Sequence, residues 1–491
     1  MKTRTLKQLV LYNYRYFFAY CVVIVSIAYF LGWRLGSIGP GLAGQEIVTA
    51  ARHTNIESIL RLPLYPLHSL LQWASMQTLG ISPWSIRLPS IILAGATAVC
   101  LYNLLKRWFG KSTALLSTAV FISADWFLFI ARFGTGAIEF SFWLSVALLC
   151  FTKLIERKNR WLPALALSIA GLLFVPLGIY AAITLVASLF GFIVFRQRFT
   201  ETKTWLKITS CTIVIIAFGL FLYITLTVPL FFKNALGVQA VPTFSEYISN
   251  LFSNISSAVA ILPASNPSIN PTGLFIVRYF ELIFILFGVI MLWRTRINRL
   301  NLIVLILSVV LVLASGLSDG SRGSGVILVP AAIYMTAGIR HLMHRWKRTF
   351  PKNPYARVAA YIPLTLLFVL VVSAHYVSYF VVWPSQTSTH MAFSQDFQLL
   401  QDELNRPSYL NRNCLVQTDD GNLQKLILAS DTTCKPLFPG DSDAPSNVRT
   451  LILQPNANTV TFTDNNQTSR ALVSTTAENN VRWVVVTTGK L

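Results

Sequence analysis

The chain has 491 residues, 54% of them hydrophobic and only 12% charged. Soluble domains carry about a quarter charged residues, so this composition excludes a purely water-soluble protein and makes the lipid bilayer the solvent to reason with. The net charge of +21 would fit a nucleic-acid partner if the basic residues formed one face. They sit instead in short clusters between apolar runs, where membrane orientation places them, and nucleic acid is set aside.

Lys2, Arg4, Lys7 and Arg15 put the N-terminus in the cytoplasm. Tyr16 to Leu35 is a long apolar run without a small-residue cleavage site, and reads as a signal anchor. The next basic cluster, Lys106, Arg107 and Lys111, must return to the cytoplasm, so one span lies between, near 88 to 105. Residues 36–87 then form a long outer loop, in which Glu46 to Leu60 and Leu64 to Leu79 read as helices lying on the membrane surface. Later basic clusters at Lys153 to Arg160, Arg196 to Lys207, Arg294 to Arg299 and His341 to Arg357 close successive hairpins, and Pro176 with Gly178 splits the uncharged run from Trp161 to Phe195. Eleven spans result: 16–35, 88–105, 112–130, 137–155, 161–175, 177–195, 205–228, 273–293, 300–317, 323–341 and 358–383.

An odd count puts the tail outside. Residues 229–272 form a second outer loop, broken by Pro242, Pro263, Pro267 and Pro271, that is placed to act as a lid. Beyond Pro384 the composition becomes that of a soluble protein, with a helical opening from Phe393 to Leu404 and strand-like stretches at Thr450 to Gln454, Thr459 to Thr463 and Val481 to Thr488. The predicted fold class is therefore mainly α: a polytopic helical membrane domain over 1–384 and an extracytoplasmic soluble α/β domain over 385–491. Cys21, Cys100, Cys150 and Cys211 read as small residues of apolar helices, and Cys414 with Cys434 in the tail as a candidate disulfide.

Acidic residues are scarce in the membrane part, so those near outer helix ends carry weight. Glu46 follows the first span directly. There it is placed either to take a proton from an acceptor hydroxyl or to open a surface helix in water. Arg278 and Glu281 read as an i,i+3 pair on one helix face. His53, His68 and His375 lie on separate elements without metal-ligand spacing, and read as solvated or hydrogen-bonded. The glycosylation sequons at Asn254 and Asn466 receive no functional weight.

Four local patterns fall in order between Pro40 and Glu139: Gly44-Gln45-Glu46, Pro63-Leu64-Tyr65, Ser85-Ile86-Arg87-Leu88-Pro89-Ser90 and Ala131-Arg132. Together they resemble the GT-C superfamily, in particular the dolichyl-phosphate-mannose protein mannosyltransferases and the bacterial lipid A aminoarabinose transferase. Ser321-Arg322, with Pro330 beyond it, is a fifth and weaker match. The family carries an Asp-Glu pair where this chain has Gln45 and Glu46, and an amide is no useful proton acceptor. Either Glu46 takes over the base role or transfer activity is lost or altered. Glu139 resembles the family's second acidic position and reads equally as a structural carboxylate paired with Arg132; Asp125 carries the same two readings.

The resemblance implies a hexosyl- or pentosyltransferase of the plasma or inner membrane, using a polyprenyl-phosphate sugar and a protein, lipid or glycan acceptor at the extracytoplasmic face. Metal use varies in that family, so no cofactor is assigned and a divalent metal is left open. A lipid-phosphate donor needs a cation at the boundary. Arg61, Arg87, Arg132 and Arg322 all fall at predicted outer boundaries, with Arg322 favoured for the phosphate, or else paired with Asp319. A flippase for lipid-linked saccharide and a catalytically silent scaffold are the competing functions. No internal symmetry of a transporter is visible.

Overall fold

The computed structural model describes residues 21, 24–35, 41–238, 242–258, 274, 277–295, 299–318, 325–350, 359, 361–405, 413–417, 420–430, 435–437, 450–453, 467–473 and 481–488. Residues 24–32 are helical. The chain then runs through β1 (Leu42–Ala43), α1 (Gly44–Arg52), α2 (Ile56–Arg61), α3 (Pro66–Leu79), α4 (Pro83–Phe109), α5 (Lys111–Ser123), α6 (Asp125–Arg132), α7 (Ile138–Ile155), α8 (Leu162–Leu173), α9 (Gly178–Gly191), α10 (Ile193–Glu201) and α11 (Thr204–Thr227). It continues with α12 (Pro229–Leu236), α13 (Phe244–Ala258), α14 (Tyr279–Arg294), α15 (Arg299–Ser315), α16 (Leu328–Thr349) and α17 (Tyr361–Val377).

Each of the eleven predicted spans overlaps helical residues, which follows from their long apolar runs. Among the described residues, α4, α7, α11 and 362–385 are each long and apolar enough to cross a membrane alone. Two bent pairs are so together: α5 with α6 at 63° and α9 with α10 at 80°. The other predicted spans are shorter helices or include residues outside the described set. The predicted surface helix from Glu46 to Leu60 is two helices, because Asn55 accepts the Glu57 N–H at 3.0 Å and so starts a new one.

The longest helix, α4, shows how local chemistry shapes the bundle. Ser82 caps it by accepting from the Ser85 N–H, Pro83 fills a first-turn position, and Gly110 at φ 91° ends it after Lys106 and Arg107. Pro89 inside the helix has no N–H for the Ser85 carbonyl, and the Ser75 hydroxyl of α3 donates to that carbonyl instead, at 2.9 Å. The Ser90 hydroxyl donates to the Phe133 carbonyl at 2.7 Å. The Arg-Leu-Pro-Ser stretch is thus a place where helix α4 opens its backbone to neighbours.

The principal apolar core fills the space between α4 to α9, α14 to α16 and the aromatic end of the last long helix at Tyr379, Phe380 and Trp383. Beyond that helix come α18 (Thr387–Ala392), β2 (Phe393–Ser394), α19 (Asp396–Leu404), β3 (Asn413–Gln417), α20 (Gly421–Ala429), β4 (Lys435–Leu437), β5 (Thr450–Leu453), β6 (Gln467–Val473) and β7 (Val481–Thr488). The sheet order is β4-β3-β5-β7-β6, with β3 parallel to β4 and β5 and the remaining pairs antiparallel. Among the described residues this segment combines short helices with a five-stranded sheet. The predicted strand at Thr459 to Thr463 and the side chains of Cys414 and Cys434 lie outside the described residues.

The C-terminal segment is fastened to the first loop. Strand β1 pairs antiparallel with β2, Leu42 opposite Ser394 and Ala43 opposite Phe393. A second core joins Ile47, Ala50 and Met76 to Phe397, Leu423 and Ile427, and the Gln401 side-chain amide donates to the Ile81 carbonyl at 3.0 Å. Elsewhere α14 and α16 meet backbone to backbone. A Cβ on Gly288 would overlap the Tyr334 carbonyl, and one on Gly338 the Phe284 carbonyl. Gly288→Leu is therefore expected to cost at least about 1–3 kcal/mol and to lower the melting temperature in detergent, while Ile290→Leu, on the exposed side of the same helix, leaves it unchanged.

Candidate functional site

The first loop helix, α1, divides its residues between two environments. At about 100° per residue, Glu46, Ile47, Ala50 and Ala51 turn into the protein and are buried, whereas Gln45, Val48, Thr49 and Arg52 fall on the opposite face. That opposite face forms one wall of a cavity of about 720 Å³. Other walls come from Leu64 and Tyr65, from Phe129, Phe133 and Phe140, from Val175 and Pro176, and from Gly325 and Val326. Ala392 and Asp420 bring the C-terminal segment to the same cavity. Most of the lining is apolar.

Tyr65 occupies the left-handed region at φ 53°, an arrangement that costs about 1–2 kcal/mol for a residue with a side chain. It is held there by its N–H donating to the Phe174 carbonyl at 3.1 Å and by Gly136, where a Cβ would come within 2.9 Å of the Tyr65 side chain. The Pro-Leu-Tyr stretch thus sets where the chain turns from the cavity wall into α3.

The structure corrects the expected place of Glu46. Its carboxylate is 0% exposed and Arg87 is 3% exposed. Oε1 accepts from Arg87 Nε and from the Gly134 N–H, both at 2.8 Å, and Oε2 accepts from Arg87 Nη2 at 2.7 Å and from the Ala43 N–H at 3.0 Å. Arg87 further donates to the carbonyls of Leu35 and Gly41 at 3.0 and 2.8 Å. A carboxylate with four donors already on it is a clamp and does not face an acceptor. Gln45 is the member of the pair that lines the cavity.

The other predicted residues separate likewise. Arg87 is consumed by Glu46. Arg132 donates to the carbonyls of Phe30 and Trp33, at 2.8 and 2.6 Å, and so caps the first helix. Arg61 is exposed and paired with Glu57 on its own helix at 2.7 Å, away from the cavity lining. Glu139 does not pair with Arg132: its oxygens accept the N–H groups of Leu67 and His68 at the start of α3, and the Trp143 indole N–H at 2.9 Å. Asp125 is buried and accepts from Arg278 at 2.7 Å, while its other oxygen lies 3.2 Å from His375, whose Nε2 is 3.0 Å from Glu281. The guanidinium of Arg278 therefore reaches across helices to Asp125, and Glu281 takes its backbone N–H at 2.9 Å. Arg322 and Asp319 lie outside the described residues. Asn254 is buried and its amide donates to the carbonyls of Ser315 and Ser318.

Two groups that the sequence reading left aside face the cavity. Arg52 is exposed on its wall, and its guanidinium makes no hydrogen bond or ion pair among the described residues. His53, read as solvated or hydrogen-bonded, is hydrogen-bonded, 5% exposed and lines the same cavity. Its Nδ1 lies 2.5 Å from Gln72 Oε1. The Gln72 amide nitrogen donates to the carbonyls of Ile86 and Gly134 at 2.8 and 3.1 Å, which fixes its orientation. Oε1 must then accept, so Nδ1 carries the proton in the neutral ring. Among the described residues no three His, Cys, Asp or Glu side chains are grouped to hold a metal ion.

Burial holds His53 well below its usual range, down to about 4; the Gln72 hydrogen bond opposes this and Arg52 adds to it. His68 is pushed further, to about 3, by burial and then by His53. Both unfolded imidazoles take protons near 6.5, where the folded ones refuse them. Folding stability is therefore full above about 6.5 and is lost as the pH falls toward 4, which a melting series in detergent reads directly. A second expectation concerns the clamp. Arg87→Met leaves a buried, uncompensated carboxylate and should cost about 3–5 kcal/mol, and Glu46→Leu with Arg87→Met should recover most of the lost melting temperature.

Residues 63–223 match a family model described as dolichyl-phosphate-mannose-protein mannosyltransferase. The fold is similar to that of ArnT from Cupriavidus metallidurans in the apo state, with a TM-score of 0.56 and 13% identity over 98% of this chain and 99% of that one. It is similar also to ArnT from the same organism bound to undecaprenyl phosphate, with a TM-score of 0.54 and 13% identity over 97% and 99%. The matched segment opens on Pro63-Leu64-Tyr65 and includes the α4 motif, Arg132 and Glu139. Read with the helical bundle and its loop-walled cavity, these likenesses give the chain a fold like that of ArnT, with a segment from Pro63 to Tyr223 that is similar to the dolichyl-phosphate-mannose-protein mannosyltransferase family.

Proposed function

We propose that the protein is an inverting transferase that moves a hexose or pentose from a polyprenyl-phosphate carrier to an acceptor hydroxyl at the extracytoplasmic face of the cell membrane. One observation carries this reading: a mainly apolar cavity of about 720 Å³, lined in part by the C-terminal segment, holds the guanidinium of Arg52, which is unpaired among the described residues. An apolar wall suits a polyprenyl tail entering from the lipid. A guanidinium binds phosphate oxygens through two parallel N–H groups and steadies the charge that grows on the leaving phosphate. Arg322 precedes Gly325 and Val326 of the same cavity in sequence and is a second cation for that role.

The acceptor, a protein, lipid or glycan, would arrive past Asp420, where the C-terminal segment meets the cavity. The presence of Gln45 on the wall favours a second reading, in which the cavity binds the lipid carrier without transferring its sugar. Purified protein incubated with radiolabelled undecaprenyl-phosphate sugars and a membrane extract as acceptor source separates these readings. Release of undecaprenyl phosphate with label in the acceptor fraction supports the transferase, binding without release supports the silent scaffold, and label moved across a vesicle supports a flippase. Arg52→Gln is expected to raise the donor KM about tenfold or more, the worth of one charge-assisted hydrogen bond.

A further inference from the structure

A transferase that attacks with a hydroxyl needs somewhere for the hydroxyl proton to go, and the two residues at the family's acidic pair do not provide it. Gln45 presents an amide, whose oxygen is too weakly basic. Glu46 has all its bonding directions taken by Arg87, Gly134 and Ala43. About two helical turns further on, just past the end of α1, His53 lies on the same cavity.

We propose that His53 Nε2 is the proton acceptor of the transfer, standing in for the carboxylate that Gln45 lacks. The inference rests on the transferase reading above and names the base of that same site. Three features of the geometry support it. Gln72 cannot turn its amide over, because its nitrogen is held by the carbonyls of Ile86 and Gly134. Nδ1 therefore carries the hydrogen and Nε2 carries the lone pair. Nε2 has no hydrogen bond among the described residues, and His53 lines the cavity. The partner that orients the ring is rigid for a separate reason: Ile86 and Gly134 are the residues that flank Arg87 and hold Glu46.

In the step itself, the acceptor oxygen forms a bond to the anomeric carbon as the bond from that carbon to the phosphate oxygen breaks. The bonding pair leaves with the phosphate, and the hydroxyl proton passes to His53 Nε2. The imidazolium keeps its Nδ1 hydrogen bond to Gln72 and returns the proton to water once product leaves. The charged group beside the ring is Arg52, and the neutral ring of His68 of α3 has its centre 6.5 Å away. Burial above all, opposed by the Gln72 hydrogen bond and aided by Arg52, keeps His53 neutral down to about 4, so the accepting form is present throughout the physiological range. The same environment makes it a base that releases its proton readily.

His53→Asn tests this, because an asparagine keeps an N–H directed at Gln72 and removes only the atom at the Nε2 position. With radiolabelled undecaprenyl-phosphate sugar, turnover is expected to fall on the order of 10²–10⁴-fold, while undecaprenyl phosphate still binds within about threefold of wild type and the melting temperature holds. Turnover within threefold of wild type overturns the proposal, as does a loss confined to Asp420→Asn. If His53→Asn does not fold, His53→Gln takes its place with the same expected loss. Wild-type protein that binds the carrier and never releases its sugar overturns the transferase reading itself; active wild type with an active His53 variant overturns only the assignment of the base.

Discussion

One buried ion pair sets the geometry of the cavity end of this protein. Glu46 and Arg87 lie 41 positions apart and meet in a place that excludes water. Neither charge tolerates that burial alone, so each hydrogen-bonding direction has to be filled. Filling them draws together Leu35, Gly41 and Ala43 of the first loop, the opening of α4, and the turn at Gly134. A Cβ at Gly134 would come 2.8 Å from Ile86 and 3.2 Å from the Glu46 carboxylate, so the turn has space only for glycine. Such a pair adds little net stability over an apolar replacement, but it strongly disfavours any other register.

Register is what the site needs. With Glu46 fixed inward, the helical period leaves Gln45, Thr49 and Arg52 no choice but the cavity face. The same constraint positions the C-terminal segment. Leu42 and Ala43 are extended beside β2, and the inward face of α1 has Ile47 and Ala50 packed with Leu423 and Ile427 of α20. The C-terminal segment is thus held to the helical bundle through the loop that makes the cavity, and Asp420, which starts α20 by accepting the Asn422 N–H at 2.9 Å, comes to line the cavity for that reason.

A second polar cluster does comparable work deeper in the bundle. Asp125, Arg278, Glu281 and His375 come from three separate helical stretches and pair with one another at 2.7 to 3.2 Å. In an apolar surrounding, charged groups so placed select one packing of their helices among the many that Leu, Ile and Phe would accept. Glycines at positions 288 and 338 then let α14 and α16 approach closely beside it.

The mainly helical fold, the apolar helices and the helical nature of the first loop were legible in the sequence, because each depends on local periods and on composition. The resemblance to GT-C proteins was legible too, through short motifs whose backbone roles are local: Pro89 opens a carbonyl and Tyr65 turns the chain. The roles of single charged residues were not. Every arginine at a predicted boundary looked able to bind phosphate, yet Arg87 and Arg132 spend their donors on protein carbonyls and Glu46, and Arg61 on Glu57. His53 had no signal of its own, since nothing in its neighbourhood announces Gln72, nineteen positions away. Hydropathy decides which segments enter lipid, because transfer from water depends on each side chain separately. Which polar atoms are consumed and which stay open depends on partners brought from distant helices, and that only the tertiary structure decided.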